Sequence, residues 1–464
     1  MTVDIAPGIH DNMHPRIATD GAGNAMVIWW KASDQSLMFS KWNGSAFTTP
    51  VALNPGSMPI AGASWMGPDI AAHGDTVYVV MKQIPETDTA SHIRIIRSFD
   101  GGQSWSPAIR VDYIGDSLSR FSTVTTDDQG NPVVAFMKFN QSFGDARWVV
   151  AKSTDFGATF STDVHASGWS SPGSEVCDCC PGSLLSDGST SVMLYRDVNN
   201  NIRDTWAGIS TNGGTSFTGG IDVDQQGWMV MMCPASGPDG IIWGDSLYTV
   251  FMSGASGTNR VYWSASSVTT LQALPSQPVT GTIPGLSQQN FPGMAGDGNA
   301  VAMVWKQTVS STDQLLMRFT NDIAGGLPMY CDTVDLGSIT NSDVALTAGN
   351  VFVAWQDDNS GTVKFRSGTF SPVNTLTPEN HQPKAVAVFP NPSQDTWTIT
   401  GLADELPVRA EVFNSLGQIT GAPEIQSFQG SLRVMMKPYD SSPGIYFLKL
   451  VTGDRSIIIR LIKS

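Results

Sequence analysis

Seven copies of one hairpin constrain this chain more than any other feature. The unit reads small residue or Pro, alternating apolar residues, Gly beside Asp or Asn, then a second apolar run closing on an aromatic or Met and often a cation. It occurs as HPRIATDGAGNAMVIWWK, GPDIAAHGDTVYVVMK, FSTVTTDDQGNPVVAFMK, CPGSLLSDGSTSVMLYR, CPASGPDGIIWGDSLYTVFM, FPGMAGDGNAVAMVWK and SDVALTAGNVFVAWQ. Leading prolines set the period: 53 residues separate Pro15 from Pro68 and Pro181 from Pro234, and 58 separate Pro234 from Pro292. Period-two apolar runs joined by a Gly turn are hairpins. A unit of this length holds two of them, so the repeat predicts an all-β fold, a seven-bladed β-propeller of four-stranded blades over residues 1–380. With 14% charged residues, 46 Gly, 14 Trp and 20 Phe, the composition suits short strands and tight turns.

After Pro383 the repeat stops. AVAVFPNPSQDTWTITGL, AEVFNSLGQ and GIYFLKLVTGDRSIIIRLIKS are strand-rich, which predicts a small β-sandwich over residues 384–464. The segment resembles the C-terminal sorting domain of type IX secretion cargo, on Phe389-Pro390-Asn391-Pro392, the run from Phe413 to Gln418, Gly444-Ile445-Tyr446 and the basic terminus. The resemblance implies a secreted or cell-surface protein with the type IX machinery as partner; an ordinary adhesive β module is the other reading. The opening MTVDIAPGIH has neither a basic region nor an apolar core, so the expectation there is a cytoplasmic chain or one whose leader has been removed. No apolar run approaches the length of a membrane span. A net charge of −15 argues against a nucleic-acid partner.

A second motif follows the third strand of several units: SFDGGQSW, STDFGATF and STNGGTSF. The Asp or Asn side chain satisfies turn amides, Gly permits a positive φ, and the aromatic packs between blades. The pattern resembles the Asp-box, or BNR repeat, of sialidases. That resemblance implies three arginines around a substrate carboxylate, because a guanidinium fork matches a carboxylate. It offers Arg16 in PRIATD, Arg196 in SLLSDGSTSVMLYR and Arg260 in GTNRVYWSAS, with Asp69 as the catalytic acid/base. Two family roles lack their residue: Cys180 occupies the glutamate position, and Phe291 stands where the tyrosine nucleophile is expected. Recognition of an acidic glycan follows, with its processing left open. In a propeller, residues opening the first strand and closing the second converge on the central mouth. Lys31, Lys82, Lys138, Arg196 and Lys306 close second strands, and together predict a basic mouth for an anionic ligand.

Three of the five cysteines fall within four positions, Cys177, Cys179 and Cys180. Cys180 and Cys233 open equivalent strands, so all four are expected at the mouth, with Met229, Met231 and Met232 just before Cys233. Four sulfurs plus thioethers make a soft ligand set for a copper ion, or for zinc. A Cys180–Cys233 disulfide between neighbouring blades, or unreactive thiols, are the alternatives. Cys331 reads as a lone buried thiol.

Overall fold

A computed structural model of the chain describes residues 2–115, 117–372, 387–400, 409–415, 418–428, 431–436, 442–452 and 455–464. Among them there is no α-helix, and Ile323–Gly325 forms the one 3-10 turn. The chain divides into two compact units, Met1–Val373 and Asn374–Ser464. The boundary expected between residues 380 and 384 lies outside the described residues.

Among the described residues, the first unit is built from seven antiparallel sheets, each made mostly of four consecutive strands. Their first strands are Asn12–Thr19, Asp69–His73, Leu118–Thr126, Ser183–Asp187, Asp239–Trp243, Leu286–Asp297 and Ile339–Thr347. Each packs beside the next, and Ile339–Thr347 returns to pack on Asn12–Thr19, so the sheets close a ring. Closure takes a loan from the N-terminus: Val3–Asp4 supplies the outer strand of the seventh sheet, with Val3 opposite Phe365.

The second strands explain the packing. In Thr76–Lys82 every residue after Thr76 is buried, because both faces of the strand meet apolar layers. Val77, Val79 and Met81 face the first sheet, while Tyr78 and Val80 face the third. Seven such layers alternate with the seven sheets, and the layer joining the seventh sheet to the first holds Ile5, Trp29, Phe352 and Phe365.

The Ser-x-Asp/Asn turns carry their own hydrogen bonds. Ser98 Oγ donates to Asp100 Oδ1 at 2.7 Å and accepts from Gly102 N at 2.8 Å. Ser153 with Asp155 and Gly157 repeats this, as does Ser210 with Asn212 and Gly214. Trp105 packs edge-on against Phe39 of the first sheet, their rings 5.0 Å apart. Gly101 N donates to Asp75 O at 2.9 Å, which puts this turn at the far end of its sheet from Asp69.

Among its described residues, the second unit holds two four-stranded antiparallel sheets around one core, with Trp397, Ile399, Leu432 and Val434 from one sheet and Val412, Leu448 and Leu461 from the other.

Candidate functional site

One residue from the same register of each first strand faces a single cavity on the ring axis. In sheet order these are Arg16, Asp69, Thr123, Ser183, Asp239, Gly293 and Asp343, and the cavity has a volume of about 210 Å³. In four of the strands the ladder slips just before this position, at Met13/Arg16, Arg120/Ser122, Asn290/Gly293 and Thr340/Ser342. His14, Phe121, Phe291 and Asn341 sit at those bulges with φ between 41° and 53°. A bulge re-aims the next side chain, here toward the axis.

These side chains tie each sheet to its neighbour. Asp69 Oδ2 accepts from Thr123 Oγ1 at 2.7 Å and Val124 N at 3.0 Å. Leu184 N donates to Thr123 Oγ1 at 3.4 Å, and Ser183 Oγ to Asp239 Oδ1 at 2.9 Å. Met294 N reaches Asp239 Oδ2 and Ile17 N reaches Asp343 Oδ2, both at 2.9 Å. Where Gly293 has no side chain to offer, Ser342 Oγ donates to Phe291 O at 3.1 Å. Arg16 Nε stands 3.9 Å from Asp69 Oδ1, a loose ion pair.

Burial pushes the Asp343 carboxyl up to about 7, although Arg16 opposes the shift, and raises Asp239 as well. Arg16 is the one cation lining the cavity among the described residues, and no tyrosine lines it. Trp65 and Phe291 border it, with Trp65 36% exposed. Asp239 and Asp343 escaped the sequence reading. The signal was there: GPDG and NSDV align with GPDI, so one register position carries three aspartates.

The structure brings Arg16 and Asp69 together and leaves the other two arginines elsewhere. Arg196 is 1% exposed, donating to Arg203 O and Met252 O, each at 2.6 Å, with its guanidinium over Trp228. Its place on a second strand turns it into the layer between the fourth and fifth sheets, away from the axis. Arg260 donates to the carbonyls of Asn259, Leu286 and Ser287. The expected basic mouth is likewise corrected. Lys31, Lys138 and Lys306 pair with Asp34, Asp163 and Asp313 at 2.6, 2.9 and 2.7 Å, and buried Lys82 donates to Ser91 O. Each cation is neutralised or capped within reach of its own strand.

The four clustered cysteines do gather, with their sulfurs within 4.8 Å of one another. None of them lines the axial cavity, where Pro181 and Ala235 stand instead. The disulfide joins Cys179 to Cys233, a correction to the expected Cys180–Cys233 pair. Cys180 N donates to Cys177 O at 3.2 Å, and this tight turn folds Cys180 inward beneath Cys177, so Cys179 is left facing Cys233. Cys177 and Cys180 remain thiols, with their sulfurs 3.1 Å apart. The hydrogen bond from Cys180 pulls the Cys177 thiol down, helped by Arg203, whose Nη1 lies 2.9 Å from its sulfur. Burial pushes Cys180 well up. As donors for a soft cation, two thiols are ready, and two more appear only when the disulfide is reduced. Met229, Met231 and Met232 are 69%, 86% and 72% exposed. Cys331 is half-buried rather than buried.

Residues 387–464 match the family model described as a secretion system C-terminal sorting domain. This type IX tail makes the chain a secreted or cell-surface protein that meets the secretion machinery. No helix among the described residues is long and apolar enough to cross a membrane. No curated protein matches the chain in sequence. Among solved structures, a polysaccharide lyase, an ulvan lyase bound to a GlcA–Rha3S saccharide, is similar at TM-score 0.50 and 10% identity, covering 80% of this chain and 96% of the other. A protein of unknown function from Dyadobacter fermentans is similar at TM-score 0.45 and 14% identity over 66% and 94% of the two chains. A variant of the NanB sialidase from Streptococcus pneumoniae gives 0.42 and 10% over 76% and 84%. At 10% identity, the likeness to the ulvan lyase speaks to fold alone, all-β and propeller-like.

Proposed function

We propose that residues 1–380 form a seven-bladed β-propeller with Asp-box turns, similar to sialidases, which recognises an acidic glycan at its axial cavity, and that residues 384–464 form a β-sandwich sorting domain. The observation that carries this reading is the ring of axial side chains: one guanidinium, Arg16, among hydroxyls and carboxyls, bordered by Trp65 and Phe291 for a sugar face. An incoming carboxylate or sulfate competes with Asp69 for Arg16: that pair is loose at 3.9 Å, and although Nη1 donates to Pro15 O at 3.1 Å, the rest of the guanidinium can turn to the ligand. Asp69 is the acid/base in this reading, yet it already accepts from Thr123, Val124 and Ile70, and no phenol faces it. Sialic acid glycosides are therefore expected to bind without turnover. Calorimetry with sialyl and uronic-acid oligosaccharides tests this: Arg16→Ala should weaken binding by about tenfold, while neutral oligosaccharides should not change. Steady release of sialic acid by pure protein would contradict the binding-only role.

A second reading rests on the sulfurs. Cys177, Cys179, Cys180 and Cys233 lie close enough to share one ion, copper in preference to zinc because Met229, Met231 and Met232 add thioethers nearby in sequence. That site needs the Cys179–Cys233 bond reduced. Elemental analysis of protein prepared with and without a reductant checks it, with copper expected only in the reduced sample.

A further inference from the structure

The cysteine cluster holds two pairs in different chemical states, and burial separates them. Cys177 and Cys180 are thiols, each 1% exposed. Cys179 and Cys233 share a disulfide whose Cys233 end is open to solvent. A dissolved disulfide meets Cys233 and not the buried thiols. Yet Cys177 Sγ lies 3.5 Å from Cys179 Sγ and 3.1 Å from Cys180 Sγ, separations of the kind that hold reacting atoms for attack. The Arg203 guanidinium stands 2.9 Å from Cys177 Sγ, so a positive charge faces the sulfur that would attack.

We propose that the four cysteines form a thiol–disulfide exchange site, which passes two electrons from the buried Cys177/Cys180 pair to a small external disulfide by way of Cys179 and Cys233. In the first step the Cys177 thiolate bonds to Cys179 Sγ, the Cys179–Cys233 bond breaks, and Cys233 leaves as a thiolate. Cys180 then bonds to Cys177 Sγ and expels Cys179, whose sulfur, within 4.8 Å, takes the Cys180 proton as it leaves. The oxidised pair is now Cys177–Cys180, and the outward dithiol is free. Cys233 attacks the external disulfide, forming a mixed disulfide and releasing one small thiolate. Cys179 attacks Cys233 Sγ, re-forms the Cys179–Cys233 bond and releases the second. The two protons given up by Cys177 and Cys180 reach the two small thiolates through solvent, so one external disulfide becomes two thiols and the protein gains one disulfide.

The probe is oxidised glutathione, added to the full chain in the presence of a chelator so that a bound cation plays no part. Before treatment, alkylation after denaturation should label Cys177, Cys180 and Cys331. Afterwards it should label Cys331 alone, with about two glutathione thiols released per chain. Cys179→Ser should instead stop with glutathione attached to Cys233, and its Cys177 and Cys180 should oxidise at least about tenfold more slowly. Cys177→Ser keeps the disulfide that ties the loops together, so it serves if the first variant fails to fold; it should release no glutathione thiol. Wild-type Cys177 and Cys180 still open to alkylation after treatment, or oxidised equally fast in Cys179→Ser, would overturn the proposal.

Discussion

Asp343 shows how far one residue's chemistry depends on its setting. A free carboxyl ionises near 3.9, whereas burial pushes this one up to about 7. Between those values the folded chain holds a proton that the unfolded chain has released, so the contribution is fully present below about pH 4 and is lost as pH rises through about 7. Asp197, raised by burial to about 6, acts in the same direction. Urea denaturation at pH 5 and pH 8 should show stability falling, and Asp343→Asn should reduce the fall by on the order of 2 kcal/mol; an undiminished fall would remove Asp343 as its cause. Glycan binding should weaken over the same range, because ionised Asp343 adds a negative charge beside an anionic ligand. The resemblance to sialidases singled out Arg16 and Asp69, each of which stands directly after a repeat's leading proline. The proton affinity of Asp343 was not legible in the sequence, since it arises only when the ring buries it beside Arg16, Asp239 and Asp69.

At the scale of elements, legibility follows the reach of the hydrogen bonds. The turns at Ser98, Ser153 and Ser210 were readable because each donor and acceptor lies within a few residues of its partner. Ser153→Ala leaves the buried Gly157 N–H without its acceptor and should cost about 1–3 kcal/mol. Gly102→Ala should be no milder: φ is +85° there, and an added Cβ would come within 2.6 Å of Phe39 Cζ, so about 2 kcal/mol or more is expected. Thermal melts of the two variants against wild type measure both losses. The cysteine pairing was harder to read. Sequence could bring the 177–180 loop toward Cys233, but the choice between Cys179 and Cys180 rests on one turn bond, Cys180 N to Cys177 O. Arg196 misled for a related reason. Strand-end position does not say whether a side chain faces the axis or the apolar layer beside it.

For the whole molecule, the repeats announced an all-β chain of four-stranded antiparallel sheets but not how the ring is fastened. Val3–Asp4 is a two-residue strand with no pattern of its own, and only its partner, Thr362–Thr369, gives it meaning. Ile5, 1% exposed, anchors that fastening in the layer shared with Phe352 and Phe365. Ile5→Ala should cost about 2–4 kcal/mol, read as a lower melting temperature, and a loss near zero would mean the ring closes without it. The same fastening sets a timetable. Segments from opposite ends of the unit must meet before the seventh sheet is complete, and contacts between such distant segments form slowly. Six sheets can assemble from neighbouring hairpins while Trp29, Phe352 and Phe365 still face water across an open seam. The seam is therefore the last part of the fold to dry, and a chain halted at that moment has the surface of an unfinished sheet edge, ready to pair with another chain's first strand instead of its own.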